Sequence, residues 1–147
     1  WDVEDARGLD LFAGTGALSL EALSRGAREA VLVDMDRAAC AAIRKNMETT
    51  RLSEKCRLIA RDYHAAIDAL AAEGTAFDVV FIDPPYNQGL AQAALPLVAQ
   101  QMAPGGVILC ETDRHEEMPQ EVGNFRLIKT RRYGKAMIHT YRIPEEE

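Results

Sequence analysis

The chain has 147 residues, 48% hydrophobic and 27% charged, with a net charge of −6 at pH 7. That length suits a single domain spanning 1–147 with a substantial core; no apolar run is long enough to cross a bilayer, and no signal-peptide pattern precedes the first strand. The acidic balance argues against a protein coated in basic surface, and Cys40, Cys56 and Cys110, odd in number and widely spaced, read as buried free thiols of a cytoplasmic protein.

Trp1 to Arg7 lead almost at once into a short strand, Gly8 to Phe12, a start that reads as abbreviated. The turn Ala13-Gly14-Thr15-Gly16-Ala17 follows, then a helix with Leu18, Ala22 and Leu23 inward that stops at Gly26. Ala30 to Val33 is a second strand ending at Asp34. Arg37 to Leu52 has Ala39, Ile43 and Met47 at helical spacing. Arg57 to Ala60 is a third strand, with Asp62 and a helix through Ala66, Ile67 and Leu70 behind it. Phe77 to Ile82 is apolar on almost every residue, as a strand buried on both faces requires. Leu90 to Met102 has helical spacing, and Pro96 inside it predicts a kink or two short helices. Pro104-Gly105-Gly106 reads as a turn into the strand Val107 to Cys110, Asp113 to Gly123 as loop, and the remainder as a hairpin about Gly134-Lys135. Strands alternating with helices call for an α/β fold, a mostly parallel sheet with helices on both faces.

In such a sheet ligands sit outside the carboxyl ends of the strands, and that is where the polar groups gather. Glycines at 14 and 16 let backbone approach a ligand beside a helix start, but the third glycine of a dinucleotide fingerprint is missing near Ser19. Asp34 lies twenty residues beyond Gly14, where an acid suits a ribose diol; with the glycine turn it points to an adenosine-type ligand, the alternative being a tight βα turn. Asp62 either accepts from an adenine amino group, with Tyr63 beside it, or caps the following helix. Asp10 either meets the amino group of a bound amino acid or ties down the turn, and Asp36 reads as a helix cap. Glu111 ends the fifth strand and either lines the site or caps its loop. His64, His115 and His139 lack metal-ligand spacing.

The stretch Asp83-Pro84-Pro85-Tyr86 is the centre of the reading. Two prolines stop the strand and remove backbone donors while their neighbouring carbonyls keep acceptor capacity. A purine exocyclic amine is a poor nucleophile, because its lone pair is delocalised into the ring. Hydrogen bonds from that NH2 to the Asp83 carboxylate and the Pro84 carbonyl would favour pyramidalisation and aim the lone pair at a methyl sulfonium, with Tyr86 stacked on the base. The bland alternative is a proline-rich turn with a surface tyrosine.

With Asp10 to Gly16, Asp34, Asp62 and Asp83 to Tyr86 in place, the chain resembles the class I S-adenosylmethionine-dependent methyltransferases. Leu9 to Ala27, Asp83 to Tyr86 and the closing Arg132-Tyr133-Gly134-Lys135 are most similar to the family that methylates guanine N2 in 16S ribosomal RNA, and the likeness runs from Gly8 to Ile143. The resemblance implies a Rossmann-like sheet of seven strands with the last antiparallel. It assigns cofactor contacts to Asp10, Phe12, Gly14, Gly16, Asp34, Asp62 and Tyr63, and catalysis to Asp83, Pro84, Pro85 and Tyr86. It implies S-adenosylmethionine as donor, S-adenosylhomocysteine as product and no metal. It also implies a base drawn from 16S rRNA or the assembling small subunit, and an additional basic, helical N-terminal segment that this chain lacks. No membrane partner is expected, and a monomer is favoured.

From Asn124 to Ile143 there is no acid, against six Lys or Arg residues. Arg131, Arg132 and Lys135 are accordingly candidate RNA phosphate contacts, the alternative being a solvated face. Competing readings are an adenine-N6 DNA methyltransferase with the same motif and an inactive cofactor-binding module. Protein glutamine methylation is disfavoured because that motif typically begins with Asn. An NAD-dependent oxidoreductase is disfavoured by the missing glycine.

Overall fold

The computed structural model describes residues 3–85 and 88–145. Its strands are β1 (Arg7–Leu11), β2 (Glu29–Val33), β3 (Cys56–Ile59), β4 (Phe77–Ile82), β5 (Met102–Asp113), β6 (Glu121–Val122), β7 (Phe125–Tyr133) and β8 (Ala136–Arg142). The helices α1 (Ala17–Ser24), α2 (Arg37–Thr50), α3 (Tyr63–Ala72) and α4 (Leu90–Ala99) connect the first five strands in turn. One sheet runs in the order β3-β2-β1-β4-β5-β8-β7-β6. Its first five strands are mutually parallel, β8 is antiparallel to β5, and β7 is antiparallel to β8. The order reverses between β1 and β4, so the crevice outside their carboxyl ends is the topological switch point.

Alternation along the strands explains why helices cover both faces. Leu9, Leu11, Val31, Val33, Val80 and Ile82 point to one side, where Ala66, Ile67 and Leu70 of α3 and Ala94, Leu95 and Val98 of α4 close the larger core. Ala30 and Leu32 point to the other, against Leu20 and Leu23 of α1 and Ile43 of α2. Each fully buried Leu or Ile side chain contributes about 1.5–3 kcal/mol, so residues 9–11 and 31–33 anchor the polar turns that follow them. Cys40, Cys56 and Cys110 are free and buried, as expected.

Four elements differ from the sequence reading. The sheet has eight strands, not seven, because Glu121 and Val122 pair with Arg126 and Phe125 across a turn in which Gly123 takes φ +57°; the polar stretch had read as loop. Pro96 sits inside one continuous helix, not between two short ones. That helix ends at Ala99, and residue 102 already belongs to β5. Pro104-Gly105-Gly106 lies within β5 as a bulge: Phe77 pairs with Met102 and Val79 with Val107, so β5 carries extra residues against β4. The expected antiparallel last strand and the hairpin about Gly134-Lys135 are present, with Tyr133 opposite Ala136.

Candidate active site

The turn after β1 is shaped by backbone conformation first. Phe12 takes φ +64°, a left-handed conformation that costs a non-glycine residue about 1–2 kcal/mol, and it does so at the cavity wall. Gly16 has φ +78°, a conformation that favours glycine, and a Cβ there would lie 2.8 Å from Leu32 Cδ2, so that side chain would have to shift. Asp34 then locks the turn. Its Oδ2 accepts from the Gly14 amide at 3.0 Å and its Oδ1 from the Asp36 amide at 2.9 Å, joining the ends of β1 and β2. Each carboxylate oxygen keeps a further lone pair for a ligand hydroxyl. Asn46 of α2 adds a tie that sequence spacing does not reveal, donating from Nδ2 to the Thr15 carbonyl at 2.9 Å.

A cavity of about 940 Å³ opens beside this turn, walled by Phe12, Asp34, Asp62, Tyr63, Asp83 and Pro84 among others. Phe12 and Tyr63 face each other across 5.5 Å with planes tilted 47°, giving an aromatic corner between β1 and β3. Asp62 caps α3 through Oδ1, which accepts from the Ala65 amide at 3.0 Å, and also lines the cavity; Asp36 caps α2 in the same way. Pro84 and Pro85 line the opposite wall. Tyr86, expected to stack on a base, lies outside the described residues.

Asp10 takes a different place from the other predicted contacts. It is only 3% exposed and does not line the cavity; its carboxylate accepts from the Ser19 hydroxyl at 2.8 Å, tying β1 to α1. Ser19 therefore supplies a donor to a buried acid at the position where a third glycine was missing. Burial raises the Asp10 carboxyl to about 6, with the Ser19 hydrogen bond opposing and the Asp34 charge adding to the shift. Asp83 is exposed to the cavity, yet partial desolvation, a hydrogen bond with Glu111, and the charges of Glu111 and Asp10 raise it to about 7. Among the described residues no cluster of His, Cys, Asp and Glu has the arrangement of a metal site.

The basic hairpin stands on the same edge. Because β7 runs in the direction of β5, its C-terminal end and the tip Gly134-Lys135 project where Asp83 does. Two strands, β5 and β8, separate β7 from β4, a spacing of about 14 Å. Arg131, Arg132 and Lys135 are exposed. Arg132 Nε donates to the Gly134 carbonyl at 3.0 Å, and Arg131 and Lys135 form no ion pair among the described residues.

Comparison with known proteins agrees with this geometry. A family profile described as conserved hypothetical protein 95 matches residues 1–142. Ribosomal RNA small subunit methyltransferase D of Escherichia coli is 34% identical over 141 residues, covering 95% of this chain and 69% of that protein. A solved conserved hypothetical protein of Streptococcus pyogenes superposes with a TM-score of 0.83 at 36% identity, covering 92% of this chain and 84% of the other. An RNA methyltransferase of Salinibacter ruber, solved with S-adenosyl-L-homocysteine, shares the fold at a TM-score of 0.72 and 18% identity, covering 99% and 86%. A glycine turn locked by a strand-end acid, an Asp-Pro-Pro loop at the switch point and these likenesses place the chain in the conserved hypothetical protein 95 family, alongside the small-subunit rRNA methyltransferase D proteins.

Proposed function

We propose that this protein transfers a methyl group from S-adenosylmethionine to the exocyclic N2 amine of a guanine in 16S ribosomal RNA. The observation that carries the reading is the Asp83-Pro84-Pro85 loop, set at the switch point and open to the cavity. The donor set fits the cofactor. A cationic sulfonium and an ammonium suit an edge where burial and, next to it, neighbouring acids raise the Asp10 and Asp83 carboxyls. Asp34 offers paired carboxylate oxygens to a ribose diol, and Asp62 with the Phe12–Tyr63 corner offers an acceptor and ring faces to an adenine. When bound, the cofactor supplies an electrophilic methyl on a good leaving group.

The residues of the chain supply position. Asp83 accepts one hydrogen of the substrate amine, and the Pro84 carbonyl, followed by a proline that has no amide hydrogen, accepts the other. Both bonds hold the amine and favour the pyramidal nitrogen needed for attack, and orientation of this kind is the largest contribution an enzyme makes to a two-substrate step. Tyr86 is assigned to stacking on the base. Arg131, Arg132 and Lys135 take the flanking phosphates from the same sheet edge.

The test is transfer of labelled methyl from S-adenosylmethionine to undermethylated small ribosomal subunits, followed by nucleoside analysis. Label in N2-methylguanosine is the expected result. Label in N6-methyladenine, or none with cofactor binding intact, would overturn the substrate assignment.

A further inference from the structure

Glu111 has no task in the mechanism above, yet it sits against the group at its centre. β4 and β5 pair in parallel with Ile82 opposite Cys110, so the next residues, Asp83 and Glu111, are neighbours across the two strands, and Asp83 lines the cavity. Their carboxyls come within hydrogen-bonding reach of each other, a contact that two carboxyl groups keep only when one of them carries a proton. The structural job that would explain Glu111 is already filled. Asp113 ties down the loop leaving β5, its Oδ1 accepting from the His115 and Glu116 amides at 2.9 and 3.0 Å.

The surroundings leave the pair without a counter-charge. Asp10 on β1 adds negative charge beside Asp83, and Asp34 adds it beside Asp10. On β8, His139 lies opposite Cys110 and is engaged by the Thr112 and Thr130 hydroxyls at 2.9 and 3.2 Å, while burial lowers its pKa. Among the described residues neither Asp83 nor Glu111 forms an ion pair with Lys, Arg or His.

We propose that Asp83 and Glu111 act as a one-proton carboxyl pair in which Asp83 takes the proton released by the methylated amine and Glu111 passes one on to water; this rests on the amine-methylation reading above. As the amine nitrogen bonds the methyl carbon, the bond from that carbon to the donor sulfur breaks and its electron pair stays on sulfur, leaving a neutral thioether. The nitrogen, now positively charged, passes a proton to Asp83. The proton already on Asp83 moves along the shared hydrogen bond to Glu111. Both carboxyls are then neutral, and half-buried Glu111 returns one proton to water. A carboxyl that titrates near 7 suits this exchange, because proton transfer is most effective when the group's pKa lies near the working pH.

The test is carbon-13 carboxyl NMR of the ligand-free protein through a pH series, with Asp83→Asn identifying the Asp83 signal. In the wild type the Asp83 signal is expected to respond near 7, well above the ordinary carboxylate range. In Glu111→Gln the Asp83 midpoint falls by at least about one unit, and kcat for methyl transfer drops about tenfold to a hundredfold. The calorimetric Kd for S-adenosylmethionine stays within about twofold, because Glu111 acts on the proton and not on the cofactor. A wild-type Asp83 that titrates in the ordinary carboxylate range would overturn the pair even if the variant failed to fold. An unchanged kcat in folded Glu111→Gln would overturn the relay. A raised Asp83 titration in a wild type that methylates no nucleic acid would instead sink the amine-methylation reading, and the relay with it.

Discussion

Asp10→Asn separates the stability of the fold from the electrostatics of the site. Asp10 is almost wholly buried, and its pKa rises from 3.8 to about 6, mainly through desolvation. A folded-state pKa above the unfolded value means that the neutral form stabilises the fold. That contribution is complete below pH 3.8 and is lost as pH rises through about 6. The shift corresponds to roughly 3 kcal/mol at pH 8. Asn is always neutral, and its side-chain oxygen can still accept from Ser19 Oγ, so Asp10→Asn is expected to match the wild type near pH 4 and exceed it by up to roughly 3 kcal/mol at pH 8. Urea denaturation at pH 4, 6 and 8 measures the gap, to which the loss of the Asp10 charge beside Asp83 adds a smaller contribution of the same sign. A difference that stays constant across that range would refute the buried-carboxylate argument. The same substitution is expected to weaken S-adenosylmethionine binding, since it removes a negative charge from the edge that receives a cation.

Asp83→Ala is expected to abolish methyl transfer while leaving cofactor affinity nearly intact; equal loss of both, by calorimetry and labelled-methyl assay, would remove Asp83 from the substrate side of the site. Asp34→Ala frees the Gly14 and Asp36 amides, so it is expected to weaken cofactor binding at least tenfold and to destabilise the fold by about 1–3 kcal/mol; an unchanged calorimetric Kd would exclude the ribose role. Replacing Arg131, Arg132 and Lys135 together is expected to reduce RNA affinity and to lower the salt-dependence slope by up to about 0.7–0.9 for each phosphate that is no longer neutralised. If the slope does not move, the hairpin is a solvated face.

What the sequence made legible was whatever depended on local order. The βα alternation, the positions of the strand ends and the caps at Asp36 and Asp62 follow from residues within a few positions of one another, and the structure repeats them. What it hid depended on pairing across distance. β6 is two residues long, and nothing in Glu121-Val122 announces a strand until Phe125 and Arg126 turn back to meet it. Pro96 reads as a breaker, yet α4 continues through it, with buried Ala94, Leu95 and Val98 packed in the larger core. Ser19 looked like a defect in a glycine motif, and only the fold shows that its hydroxyl meets Asp10. Glu111 had two readings in the sequence, and the amides of the loop that follows are held by Asp113, two residues on.

The arrangement of charge also bears on how an acidic protein could handle RNA. Each of the five parallel strands brings an acid to its C-terminal end or just beyond: Asp62 after β3, Asp34 after β2, Asp10 in β1, Asp83 after β4 and Glu111 in β5. Strands buried on both faces carry few carboxylates along their length, Asp78 of β4 being one that accepts from the Arg7 amide, so most acids collect near the strand ends. A phosphate backbone would be repelled from that row, whereas a cationic cofactor and the uncharged face of a base would not. The exposed cations of the hairpin lie on the same edge but about 14 Å from β4, far enough for phosphates to rest on them without entering the acidic crevice. Under the proposed function, the target base must therefore leave its stack and reach inward, at a cost of a few kcal/mol. The distance between basic tip and acidic crevice then favours an RNA segment that can turn a base out without dragging its own phosphate along.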